Sequence, residues 1–104
     1  MTFTKGASLA QGQIPAILGN LYSPPALSAA YIKKVRLANP TAGTVTFSLY
    51  KRIVATDYLM CNVSLLANEW AEWTDLVLGD GEVLRGVASV AASITFIVEG
   101  VIEL

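Results

Sequence analysis

The chain has 104 residues, enough for one domain around one hydrophobic core. It is 54% hydrophobic and 14% charged with a formal net charge of −1, whereas an average domain carries about 25% charged residues. That balance argues against nucleic acid as a partner, and the apolar surplus implies surface covered by other chains. Histidine is absent, which removes the ordinary Ser or Cys triad and any imidazole ligand for zinc. The single cysteine, Cys61, has no internal disulfide partner and reads as a small core residue.

Residues 1–13 are small, polar and Gly-containing, and are expected to form an N-terminal arm ahead of a β domain spanning 14–104. They lack the apolar run of an export signal. Gly6–Ile32 is uncharged, but Gln11, Gln13, Asn20 and Pro15, Pro24 and Pro25 break it as a membrane span, and no membrane partner is expected. Ile14–Tyr22 reads as a first, irregular strand ended by "SPPALS".

Tyr31–Asn39 follows, with Val35 and Leu37 on one face and Lys34, Arg36 and Ala38 on the other. "NPTAG" then supplies turn chemistry, with Asn39 opening the turn, Pro40 fixing φ and Gly43 free to take a positive φ. In Thr44–Arg52, Val45, Phe47 and Leu49 alternate with Thr44, Thr46, Ser48 and Tyr50, the pattern of an antiparallel sheet with one wet face. Tyr58–Leu66 is the next strand, followed by "ANEWAEWTD" as a connecting segment. Leu76–Leu78, a "GDG" hairpin turn, Glu82–Ala88 and Ile94–Leu104 complete the set. On the last strand Ile97 and Val101 fall on the face that should be solvated. About 7–8 short strands separated by turns predict an all-β antiparallel sandwich or jelly roll with an extended N-terminal arm. Val35, Leu37, Val45, Phe47, Leu49, Val63, Leu78, Phe96 and Val98 are its expected core.

Tests for chemistry return little. The carboxylate pairs Glu69/Glu72 and Asp80/Glu82 adjoin turns, where solvated acids are the default. "GDG" lacks the remaining ligands of a calcium loop, and no phosphate-binding glycine loop occurs. No cofactor, metal or catalytic residue is expected. Trp70 and Trp73 would make a sugar-stacking platform only if exposed together; the competing reading puts at least one of them into the open end of the core.

Charge is divided along the chain. Residues 1–52 hold Lys5, Lys33, Lys34, Arg36, Lys51 and Arg52 with no acid, a formal +6. Residues 53–104 hold Arg85 against eight acids, a formal −7. Two explanations are open and compatible: cross-strand pairing inside a sheet, for instance Lys34 or Arg36 with Glu99 or Glu103, or docking of a basic patch on a neighbour's acidic one. The expected interface residues are Lys33, Lys34, Arg36, Tyr50, Arg52, Ile97 and Val101, with the N-terminal segment Thr2–Leu18 as a further contact element.

"LYSPPALSAAYIKKVRLANPTAGTVTFSLYKR" resembles the opening of small virion proteins of tailed bacteriophages, with a tyrosine–proline entry, a strand ending in Asn, a Gly-containing turn and an alternating strand. "LLANEW" and "LVLGDGEVLRGVASVAASITFIVEGVIEL" resemble the second half of that pattern. The resemblance covers about Leu21–Leu104 and departs from it in the apolar leader Gly6–Leu18 and the Trp70/Trp73 segment. It implies a non-enzymatic β-sandwich of the virion that decorates or cements a capsid, as a homotrimer or ring bound to the major capsid protein or other virion proteins. A neck or tail component is the alternative it allows, and a carbohydrate- or receptor-binding module is the alternative from another class.

Overall fold

Strands form wherever apolar and polar residues alternate with period two. In a computed structural model, which describes residues 7–103, eight strands and no helix result among the described residues. They are β1 (Ala7–Gln13), β2 (Gly19–Tyr22), β3 (Ala29–Ala38), β4 (Val45–Ile53), β5 (Thr56–Leu65), β6 (Trp70–Leu78), β7 (Val83–Ala88) and β8 (Thr95–Glu103). One sheet has the order β1-β8-β3-β6 and the other β2-β7-β4-β5, with every pair antiparallel. Two four-stranded sheets in this order are a jelly roll, the sandwich form in which a long antiparallel hairpin is rolled across two layers.

The order has a consequence for the charge division. In both sheets strands from the first half of the chain, β1–β4, alternate with strands from the second half, β5–β8. All six pairings therefore join the half with no acid to the half that is rich in them.

Eight of the nine expected core side chains are buried, and Val63 is half-buried against their edge. Ile14, Ile32, Leu84 and Ile94 complete the interior at zero exposure. Burying each of these large aliphatic groups contributes roughly 1.5–3 kcal/mol.

Three elements depart from the sequence reading. Of the expected arm, residues 1–6 lie outside the described residues, but Ala7–Gln13 form an edge strand paired to β8 from Ala7↔Gly100 to Gln13↔Thr95. This strand is held by its backbone ladder, with Leu9 and Ala10 as its contribution to packing, so it carries no apolar alternation to read. Ile14–Leu18 is then a loop, and the strand read there shrinks to Gly19–Tyr22. Likewise "EWAEWTD" is not a connection, because β6 already begins at Trp70.

Turn chemistry is partly as expected. Gly81 takes φ +80° in the β6–β7 turn, closed by the Glu82 amide donating to the Gly79 carbonyl at 3.1 Å. Gly43, by contrast, does not use a positive φ; its carbonyl accepts from Asn39 Nδ2 at 2.7 Å. Gly100 is demanded by close approach. The β3–β8 register shifts between Ile32 and Lys34, and a Cβ at Gly100 would lie 2.1 Å from the Tyr31 carbonyl oxygen.

Candidate functional site

The seven expected interface residues do not share one surface. Lys33, Lys34, Arg36, Ile97 and Val101 lie on the outer side of the β1-β8-β3-β6 sheet, whereas Tyr50 and Arg52 lie on the outer side of the other sheet.

On the first face, neighbouring strands place Val101, Tyr31 and Val77 in one row and Ile97, Arg36 and Glu72 in another. The Val101–Tyr31–Val77 row borders a shallow groove of about 190 Å³ that also touches Ala29 and Glu103. The Tyr31 hydroxyl donates to the Asp75 carboxylate, and that bond raises the tyrosine pKa above its ordinary value. Lys34 is directly opposite Glu99 but forms its ion pair with Glu72 on β6, at 3.4 Å. Arg36 stacks on the indole of Trp70, its guanidinium carbon 4.7 Å from the ring centroid. In-sheet pairing thus absorbs part of the basic patch, through β6 rather than through Glu99 or Glu103.

On the second face, Asp57 lies between two cations. Arg85 Nη1 donates to Asp57 Oδ2 at 2.9 Å, and Arg52 approaches the same oxygen at 4.0 Å. Arg85 Nε also donates to Asn20 Oδ1 at 2.9 Å, so this one side chain ties β2 and β5 across β7 and β4. The sequence does single Arg85 out, as the one cation of the acidic half.

The remaining candidates have structural duties. Trp70 is 56% exposed, while Trp73 packs against the core. The two indoles sit on opposite sides of β6 and make no common platform. Glu69 accepts from the Leu66 amide at 2.6 Å, closing the β5–β6 turn. Glu82 accepts from the Gly79 amide at 2.6 Å and pairs with Lys51 at 3.3 Å. The Gly79 amide, ahead of Lys51, holds the Glu82 carboxyl below the usual carboxylate range. Asp80 accepts from the Leu27 amide at 2.9 Å. Burial pushes the Cys61 thiol up, which suppresses the reactive thiolate. Among the described residues, no three His, Cys, Asp or Glu side chains are grouped to hold a metal ion.

What sequence reading missed is the character of one end of the sandwich. The β1–β2, β3–β4, β5–β6 and β7–β8 connections (residues 14–18, 39–44, 66–69 and 89–94) meet there, and Glu69 is the one charged residue among them. Three aliphatic side chains project from this end: Ile17 at 83% exposure, Leu66 at 58% and Val90 at 54%. No family model matches the chain, and no curated protein matches it. The surfaces just described therefore carry the functional reading.

Behind that end stands Asn39, a fully buried polar residue. Its Nδ2 donates to the carbonyls of Gly43, Leu65 and Leu66 at 2.7–3.1 Å, and its Oδ1 accepts from the Thr41 amide at 3.1 Å and from the Thr41 hydroxyl at 2.6 Å. Its backbone N–H donates to the Glu69 carbonyl at 2.9 Å, and its carbonyl accepts from the Asn68 N–H at 2.8 Å. The β3–β4 and β5–β6 loops are thereby locked together without a charge, which fixes Leu66 in its outward position.

Proposed function

We propose that this chain is a non-enzymatic structural protein of a tailed-bacteriophage virion, a decoration protein that docks on the head shell. The resemblance of Leu21–Leu104 to small virion proteins supplies the class. The observation that carries docking is the end bearing Ile17, Leu66 and Val90, where Glu69 is the one charged loop residue and Asn39 holds the Leu66 loop in place. Projecting aliphatic groups with a single carboxylate, Glu69, among their loops suit burial against another protein, because little polar desolvation opposes it. A pre-ordered loop set also limits the entropy lost on docking. The function is mechanical: each bound copy adds contact area between capsid subunits and so resists outward pressure. Lys33, Arg36, Ile97 and Val101 on the β1-β8-β3-β6 face provide a second surface through which copies or shell proteins meet.

The test is mass analysis of purified particles with a copy number for this chain, together with rebinding to particles that lack it. Hundreds of copies per particle fit a shell protein, and a single ring's worth fits the neck or tail. Absence from washed particles overturns the virion reading. Retention of full binding by an I17D/L66D/V90D variant overturns the assignment of the docking end.

A further inference from the structure

The β4–β5 connection is a two-residue turn, Val54–Ala55, between the paired residues Ile53 and Thr56. Val54 sits at φ +59°, a conformation that such turns ordinarily give to Gly, Asn or Asp and that a β-branched side chain adopts only under strain. Its side chain is 90% exposed, and Ile53, Tyr58 and Leu59 beside it are exposed as well. The turn also marks the point where the chain changes from its acid-free to its acid-rich half. No strand on either side pairs with a strand of its own half.

From these features we propose that the β4–β5 turn is a hinge for exchange with a second copy of this chain. Residues 7–53 of one copy pair with residues 56–103 of the other, giving a domain-swapped dimer of two complete jelly rolls. Each lobe keeps all six strand pairings and its ion pairs Lys34–Glu72, Lys51–Glu82 and Arg52–Asp57, since each of these also joins the two halves. The exchange therefore sacrifices no ladder hydrogen bond and releases the Val54 strain in both copies. The apolar side chains Ile53, Val54, Tyr58 and Leu59 come together where the two hinges cross between lobes. Like charge within each half opposes intrahalf pairing, so the partner sought by the basic half is an acidic half, whichever chain supplies it. Because neither half has strand pairs of its own, exchange is decided during folding and set by concentration at that step.

The experiment refolds the full chain from denaturant over a range of protein concentrations and separates the products by size exclusion with light scattering. A dimer fraction that grows with refolding concentration and survives later dilution is expected. V54G, which relieves the turn, should lower the dimer-to-monomer ratio roughly tenfold or more. Deleting Val54 and Ala55 should shift the folded product to dimer. The decisive variant is T46C/S64C in a C61S background, at a β4–β5 pair whose hydroxyls lie 2.8 Å apart. Its oxidised dimer peak should run as a covalent dimer on a non-reducing gel. A dimer peak that resolves into internally bridged monomers overturns the exchange, and so does refolding to monomer alone at every concentration. If the deletion variant does not fold, the wild-type, V54G and disulfide measurements still decide.

Discussion

The two ends of this sandwich are closed by opposite chemistry. At the end containing Asn39, bonds between neutral groups knit the loops, the Glu69 carboxylate closing only its own turn: Asn39 to Gly43, Leu65 and Leu66, Ser93 Oγ to the Val90 carbonyl at 2.5 Å, and Gln13 Nε2 to the Ala92 carbonyl at 3.2 Å. At the end containing Val54, charge does the closing. Lys51 Nζ reaches from β4 to the Val77 carbonyl of the other sheet at 2.8 Å while paired to Glu82, and Asp80 caps the Leu27 amide. The neutral end leaves its outer surface apolar, as docking onto protein requires. The charged end ties the sheets together through groups that water and salt can weaken. Stability and interaction are thus separable along the long axis, and substitutions at the two ends should report different things.

The largest effect is expected at the neutral end. Asn39→Ala strands the buried Leu65 carbonyl, removes the bonds to the Gly43 and Leu66 carbonyls and releases the Thr41 turn. A loss of about 3–5 kcal/mol follows, since one buried group left unpaired costs roughly 1–3 kcal/mol and each further hydrogen bond lost about 1 kcal/mol. Chemical denaturation should show a lower midpoint with an unchanged slope. Next comes Gly100→Ala, toward the charged end. Its Cβ would meet backbone, the Tyr31 carbonyl oxygen at 2.1 Å, rather than a side chain that could turn away. Overpacking of this kind costs about 3 kcal/mol, near the top of the usual range. A loss under about 1 kcal/mol, the bottom of that range, would mean that the Lys33 bulge is plastic.

How legible this was from sequence differs element by element. Phe47, Leu49, Phe96 and Val98 were legible because a strand buried on one face must alternate. The edge strands β1 and β6 were not, although β5, also at an edge, was. Ala7–Gln13 uses its backbone more than its side chains. In β6, Trp73 and Leu76 both point inward although three apart, because Asp75 takes φ +61° between them and resets the alternation. A positive φ at Asp leaves no mark on a hydrophobicity pattern. The charge division was legible as a fact but not in meaning, since only the strand order shows that each basic strand lies beside acidic-half strands. The candidate surface was half legible. Arg36, Ile97 and Val101 were found by outward alternation, but Ile17, Leu66 and Val90 sit in loops, where no periodicity shows whether a side chain is buried or projects.

Smaller effects should come from the charged end. Lys51→Met removes the bond to the Val77 carbonyl and the pair with Glu82, for a loss of about 1–2 kcal/mol, as hydrogen bonds from charged groups are worth roughly 1.5–3 and half-exposed ion pairs less. The same substitution should move Glu82's carboxyl back toward its ordinary value. In the parent protein that pKa is lower folded than unfolded, so its stabilising contribution is complete above the ordinary carboxylate range. It is lost as pH falls through the depressed value. The stability lost between neutral and acidic pH should therefore be smaller in Lys51→Met than in the parent. In Glu82→Gln this part of the acid dependence should vanish, which unfolding midpoints measured from neutral to acidic pH would register.

The smallest stability change should accompany the largest change in binding. Ile17→Asp, Leu66→Asp and Val90→Asp alter side chains that project into solvent, so each should shift stability by no more than about 0.5 kcal/mol. Each nevertheless brings a carboxylate to an end whose one charged loop residue is Glu69. Docked against protein, that carboxylate would be desolvated without a partner, a cost well beyond the apolar burial that the substitution removes. Particle occupancy should fall steeply for the triple variant while its unfolding midpoint stays with the parent's. Matched charge changes at Lys33 or Glu103, on the β1-β8-β3-β6 face, should affect occupancy less. If the Lys33 and Glu103 changes abolish occupancy and the three aspartates do not, the shell meets the sheet face, and the apolar end belongs to contacts between copies.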